Sequence, residues 1–329
     1  MAARTMILTM FNLTKEGRWA AKFRAKYPYA DREPSESGKL RLILGVGRSG
    51  TSWVSKVLSK TTEPSRFFSE PLFHIHPQLP YRERGDHTAI GYNGSSDAGP
   101  LLAAYQLVAH RQFDGAGLPG GERNDAGWKI CLVKEVHALL GTEAVLRAWK
   151  VPVVFILRDP VYILDSLFAA QTLETIYLDH EVLAVQEKEF LDRFAGGTQE
   201  AVRKALADNA RWPRRRRVML DKVICVQLLQ RMFSALAVEF PRARTFAYEE
   251  FCERPMDTFQ AAARALSIPW DETMAACLQE SMRGDADAAS NPYAVLRNTA
   301  VQKNREFKFL SPEETALCRS TLEAIAPRS

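Results

Sequence analysis

The chain has 329 residues, 46% of them hydrophobic and 25% charged, an ordinary balance for a soluble globular protein with a substantial core. Its net charge of +5 suits an anionic ligand but is too mild to argue for nucleic acid. The five cysteines, Cys131, Cys225, Cys252, Cys277 and Cys318, have no C-x-x-C spacing and no companion histidine cluster, which speaks against a zinc site or a disulfide framework and for buried thiols in a reducing compartment.

Residues 1–38 are mixed and charged, and read as an N-terminal extension that ends in the linker "DREPSESGK". The opening run "MAARTMILTMFNL" is too short to span a bilayer and lacks a cleavage site, so no stable membrane insertion is expected. The expected location is cytoplasmic, or luminal if an anchor has been removed. Residues 40–46, "LRLILGV", form an apolar run bounded by glycine, the signal of a buried strand. The glycine-rich "GVGRSG" follows, and then "TSWVSKVLSKT", whose Trp53, Val54, Val57 and Leu58 recur at helical spacing.

A second strand is predicted at 66–75, "RFFSEPLFHI". From Pro77 to Gly127 the chain is rich in Gly, Pro and Asp around one helix-like piece, "LLAAYQLVAHRQF", and a loop of this length usually carries function. Within it, "ERGDHTAIGYNGSSDAG" reads as an acceptor-side loop. "WKICLVKEV" is a third strand, "ALLGTEAVLRAW" a helix, and "VPVVFIL" a fourth, strongly β-branched strand. "DPVYILDSLFAA" opens a helix with Asp159 as N-cap and Pro160 in the first turn.

Residues 180–240 read as mostly helical, "RTFAYEEF" as a fifth strand and "MDTFQAAARAL" as the helix after it. The last helix starts at "SPEE", where Ser311, Pro312 and Glu314 form a capping box. Alternating strands and helices predict an α/β fold: a P-loop-like three-layer sandwich of about five mainly parallel strands. Helices cover both faces, a helical insertion spans roughly 175–240, and residues 39–329 form a single domain. Ligands of such sheets sit at the carboxyl ends of the strands.

The segment Gly45–Ser52 almost matches the phosphate loop G-x-x-x-x-G-K-[ST], but Thr51 stands where the lysine belongs and the cation is Arg48. Gly45, Gly47 and Gly50 permit a tight turn whose amides face an anion, while Ser49, Thr51 and Ser52 add hydroxyls. The forked guanidinium of Arg48 suits phosphate or sulfate oxygens. A second anion grip is expected where Arg158 leaves the fourth strand and Ser166 follows Pro160 by about 9 Å along the next helix. A rival reading makes "VVFILRD" a Walker B strand with Asp159 on a metal, as in a nucleotide-dependent kinase; the missing lysine and the N-cap role of Asp159 weigh against it.

In these residues the chain resembles the sulfotransferases. "GVGRSGTSW" resembles their 5′-phosphosulfate loop and "LRDPVYILDS" their 3′-phosphate motif. "FFSEPLFHI", "YEEFCERP" and "YAVLRNTAVQKNREFKFL" are similar to the "EPL-W-H", "YEDL" and "RN-T" segments of carbohydrate sulfotransferases, in order through most of 40–325. The resemblance implies 3′-phosphoadenosine 5′-phosphosulfate (PAPS) as donor and 3′-phosphoadenosine 5′-phosphate as product. It also implies no required metal and a hydroxyl-bearing small molecule or glycan as acceptor.

By the same resemblance, Arg48, Ser49, Gly50, Thr51 and Ser52 hold the 5′-phosphosulfate, and Arg158 and Ser166 hold the 3′-phosphate. Trp53 and Tyr248 are candidates for the adenine face, and Arg297 closes over the 3′-phosphate. Glu70, in the "EPL" segment, is the first candidate for the general base. In "LVKEVH", Lys134 is a partner for the sulfate or bridging oxygen. His137 resembles the base of the cytosolic members, with one extra residue before it, and Glu135 is a further possibility. His74 and His76 flank the same loop as Glu70. The run Arg211–Arg217 reads as a solvated face, with contact to an acidic acceptor as the alternative.

Overall fold

The computed structural model describes residues 39–71, 105, 128–137, 139–170, 182, 185–283 and 306–327. Strands β1 (Leu40–Leu44), β2 (Ser65–Ser69), β3 (Ile130–Glu135), β4 (Val153–Leu157) and β5 (Ala243–Ala247) make one sheet in the order β2-β3-β1-β4-β5. Every pairing is parallel. Ile43 sits opposite Lys134 and Val154, and Leu44 opposite Glu135 and Phe155.

Side chains along these strands alternate between two cores. Leu40, Leu42, Leu44, Cys131, Val133, Val153 and Phe155 enter the first. Ile43, Ile130, Leu132, Val154 and Ile156 enter the second. Because both faces are covered, the central strands are apolar on both sides, and this is why they read as continuous runs rather than alternating ones.

Helices α2 (Thr142–Ala148), α3 (Pro160–Ala169), α4 (Lys188–Phe194), α5 (Gln199–Asn209), α6 (Arg214–Glu239) and α10 (Pro312–Ala324) supply side chains to the first core. The second is closed by α1 (Thr51–Leu58), α7 (Tyr248–Glu253), α8 (Pro255–Ala265) and α9 (Glu272–Arg283). This is the three-layer α/β sandwich expected from the sequence. The longest helix, α6, is anchored on the sheet by Phe233, which stacks on Phe155 with ring centres 4.7 Å apart.

Several boundaries differ from the expected ones. The second strand stops at Ser69, because Glu70 turns out of the ladder with φ 53°. The fifth ends at Ala247, and "YEEF" is helical: Glu250 accepts the Ala247 amide at 3.3 Å and so favours a helix start over a longer strand. Leu139–Gly141 is a 3-10 turn ahead of α2. Among the described residues the helical stretch holds three helices, parted at Gly196 and Gly197, with φ of 62° and 80°, and at Pro213. Helix α9 was not expected, although Asp271 carries the signal for it, accepting the Met274 amide at 3.0 Å as an N-cap.

From β1 the chain passes to the edge strand β2, returns to β3 beside β1, and then crosses to β4 and β5 on the other side. The reversal lies between β1 and β4, and a crevice at their carboxyl ends is where such sheets take ligands. Among the described residues no helix is long and apolar enough to cross a membrane.

Candidate functional site

All five strands deliver a singled-out residue to the same edge of the sheet: the loop after β1, Glu70 after β2, Lys134 in β3, Arg158 after β4 and Tyr248 after β5. The loop depends on its glycines. A side-chain carbon on Gly45 would lie 2.6 Å from Ser49 Oγ and 2.9 Å from the Ile156 carbonyl. At Gly50, φ is 102° and an added carbon would lie 2.2 Å from the Tyr248 ring. Arg48 itself adopts φ 73°, the left-handed region that residues other than glycine seldom occupy. Among the described residues no side chain caps α1, and the Trp53 and Val54 amides donate to the Gly50 carbonyl at 3.1 and 3.3 Å. Thr51 is buried and Ser52 exposed in that first turn.

Arg48 Nε donates to Ser166 Oγ at 3.0 Å, and Arg158 Nη1 donates to the Arg48 carbonyl at 3.0 Å. The two anion grips expected as separate features are therefore in direct contact, because β1 and β4 are neighbours in the sheet. The Arg158 guanidinium lies 4.5 Å from the centre of the Tyr248 ring and 5.8 Å from that of Tyr162. Gln230, on α6, donates to the Arg158 carbonyl at 2.5 Å. Arg158 is 6% exposed, yet its Nε–H has no partner among the described residues; the buried Ser49 Oγ has none either. Buried donors without partners are costly, by ~1–3 kcal/mol each. Unpaired donors on a cation are groups that an anion could satisfy.

A second cluster lies one strand further along. Glu70 is ion-paired with Lys134 through Oε1 and lies 3.4 Å from His137 Nε2 through Oε2. Its backbone N–H donates to the Lys134 carbonyl at 2.7 Å. Burial pushes the Glu70 carboxyl up, but the hydrogen bond from His137 and the charge of Lys134 outweigh it and hold the group down at about 2. For His137, burial works against the charged form, while the Glu70 hydrogen bond and the Glu135 charge raise its pKa above the ordinary value. The base candidates that the sequence set against one another are one connected group. Glu135 serves the backbone instead. It is buried, accepts the Val136 and His137 amides at 2.9 Å each, and so shapes the turn that presents His137.

The remaining candidates fall as follows. Trp53 is 7% exposed, donates its Nε1–H to Ser281 at 2.9 Å and packs edge-on against Phe259 at 5.1 Å, which makes it a core side chain. Tyr248 presses on Gly50 and backs Arg158. Asp159 caps α3 as expected, accepting the Val161 amide at 2.8 Å, and its other oxygen pairs with Arg319 at 2.6 Å. Arg215 and Arg216 reach Glu314 and Glu313 at 3.4 and 2.7 Å. That run is a surface that ties α6 to α10, not wholly a solvated face. Arg297, His74 and His76 lie outside the described residues.

Sequence reasoning missed Asp165 and Gln230. Asp165 did carry a signal, a lone charge inside the apolar helix "VYILDSLF". It is buried, and its Oδ1 accepts the amides of Lys308, Phe309 and Leu310. Gln230 carried none: its role depends on where α6 crosses β4.

No protein-family model matches the chain, and no curated protein matches it. Among solved structures it is similar to the "Sulfotransferase Domain from the Curacin Biosynthetic Pathway", at 16% identity and a TM-score of 0.40, with 87% of this chain and 97% of that chain covered.

Proposed function

We propose that the chain is a sulfotransferase, moving the sulfuryl group of PAPS to the hydroxyl of a sugar or small-molecule acceptor. The observation that carries this reading is the Arg48–Ser166–Arg158 junction at the sheet's reversal point, with the buried Arg158 Nε–H left without a partner among the described residues. A donor bearing one anion at its 5′ end and another at its 3′ end matches two adjoining cations. The glycine loop and the start of α1 take the phosphosulfate, and Arg158 with Ser166 takes the 3′-phosphate.

The chemistry follows from the neighbouring cluster. The acceptor oxygen forms a bond to sulfur as the bond from sulfur to the phosphate oxygen breaks, and the electron pair departs with that oxygen. Positive groups beside the departing oxygen stabilise the transition state, and Arg48 and Lys134 serve here. Lys134 starts out ion-paired with Glu70. Its attraction to the incoming sulfuryl oxygens weakens that pairing and raises the basicity of Glu70. Glu70 then accepts the acceptor proton, with His137 steadying the carboxylate.

The test is calorimetric binding of adenosine 3′,5′-bisphosphate and of AMP, alongside a donor-loaded acceptor screen with mass detection of a sulfated product in EDTA. Replacing Arg158 by Ala removes charge-assisted hydrogen bonds of ~1.5–3 kcal/mol. Bisphosphate affinity is expected to fall about 10- to 100-fold while AMP binding changes little. Equal binding of the two nucleotides by the unaltered chain, or ATP-dependent phosphorylation in place of sulfation, overturns the reading.

A further inference from the structure

We propose that Asp165 is a positioning residue for the 3′-anion grip: it anchors the backbone at Lys308–Leu310, so that Phe307 supports Tyr162 and Tyr162 supports the Arg158 guanidinium. This rests on the proposed function, in which Arg158 and Ser166 hold a 3′-phosphate.

Helix α3 carries Tyr162, Asp165 and Ser166 at spacings of three and four residues, which puts them on one face. Asp165 is 1% exposed. A buried carboxylate is costly unless donors surround it, and here one oxygen accepts three successive backbone N–H groups, of Lys308, Phe309 and Leu310, at 3.1, 2.8 and 3.1 Å. Consecutive amides gathered on one anion form a rigid nest.

The residue just ahead of that nest is Phe307, whose ring stacks on Tyr162 with centres 4.6 Å apart and planes 27° from parallel. The Tyr162 ring in turn lies 5.8 Å from the Arg158 guanidinium. The anchor, the two rings and the cation are thus continuous contacts between α3 and the start of the C-terminal helix. Arg158 has several rotatable bonds; its Nη1 is hydrogen-bonded to the Arg48 carbonyl, while its Nε–H has no partner among the described residues. Rings that limit its excursions lower the ordering cost of gripping an anion.

The experiment compares adenosine 3′,5′-bisphosphate with AMP by calorimetry, on the unaltered chain and on Asp165→Ala, Phe307→Ala and Phe307→Tyr. The expected result is a drop of about fivefold in the bisphosphate-to-AMP affinity ratio for Asp165→Ala and Phe307→Ala. AMP binding stays within about twofold, and Phe307→Tyr, which keeps the ring stack, retains the ratio. If Asp165→Ala does not fold, Phe307→Ala decides. An unchanged ratio in Phe307→Ala, or parallel weakening of both nucleotides, overturns the positioning role and leaves the functional reading standing. If the unaltered chain itself fails to prefer the bisphosphate, both fall.

Discussion

Glu70 enters the site at φ 53°, just past the end of β2, with both carboxylate oxygens engaged, one by Lys134 and one by His137. The His137 pKa lies above its ordinary value, so its contribution to stability is complete below that value and is lost as pH rises through the shifted one. Glu70 works in the opposite sense. Its contribution is present above the ordinary carboxylate range and disappears as pH falls toward about 2. Replacing Glu70 by Gln removes the main support of charged His137 while burial remains, so the His137 titration is expected to move down. The pH dependence of its imidazole proton resonances checks this. The same substitution is expected to cost about 10²–10⁴ in kcat with donor affinity unchanged, as for loss of a general base. Full activity in Glu70→Gln removes it from that role. The identities of Glu70, Lys134 and His137 were legible in the sequence, but their union was not. No pattern along the chain says that the end of β2 meets the end of β3; the parallel register, Ser69 opposite Lys134, does that.

At the scale of elements, local chemistry was legible wherever a start signal is short-range. Asp159 and Pro160 begin α3, and Ser311 begins α10 with a reciprocal box: its Oγ accepts the Glu314 amide at 3.1 Å, and Glu314 Oε2 accepts the Ser311 amide at 3.0 Å. Ser311→Ala is expected to cost about 1 kcal/mol, read as a lower midpoint in denaturant unfolding. Strand ends were less legible. "RTFAYEEF" contains residues that suit a strand, but the sheet contacts end at Ala247, opposite Leu157, and the acidic first turn of α7 takes over. Helix α10 also carries Arg319, which reaches back to Asp159 at 2.6 Å. A cap read from the sequence as purely local is therefore also a tertiary tie.

For the whole molecule, stability is expected to centre on the two cores that sandwich the sheet. Phe155 is fully buried in β4 and stacks on Phe233 of α6. Phe155→Ala is expected to cost ~3–5 kcal/mol, read as a lower denaturant midpoint with an unchanged slope. A surviving midpoint would mean that α6 is not held to the sheet by this contact. The α/β class, the glycine loop with Arg48 in it and the caps of α3 and α10 were legible along the chain. These follow from hydrophobic period, backbone freedom and short-range hydrogen bonds, all carried by neighbours along the chain. Only the tertiary structure decided that Arg48 bonds Ser166, that Trp53 belongs to the core and that Asp165 holds Lys308–Leu310. Each of those contacts joins residues far apart in the chain, and strand order and helix packing bring them together.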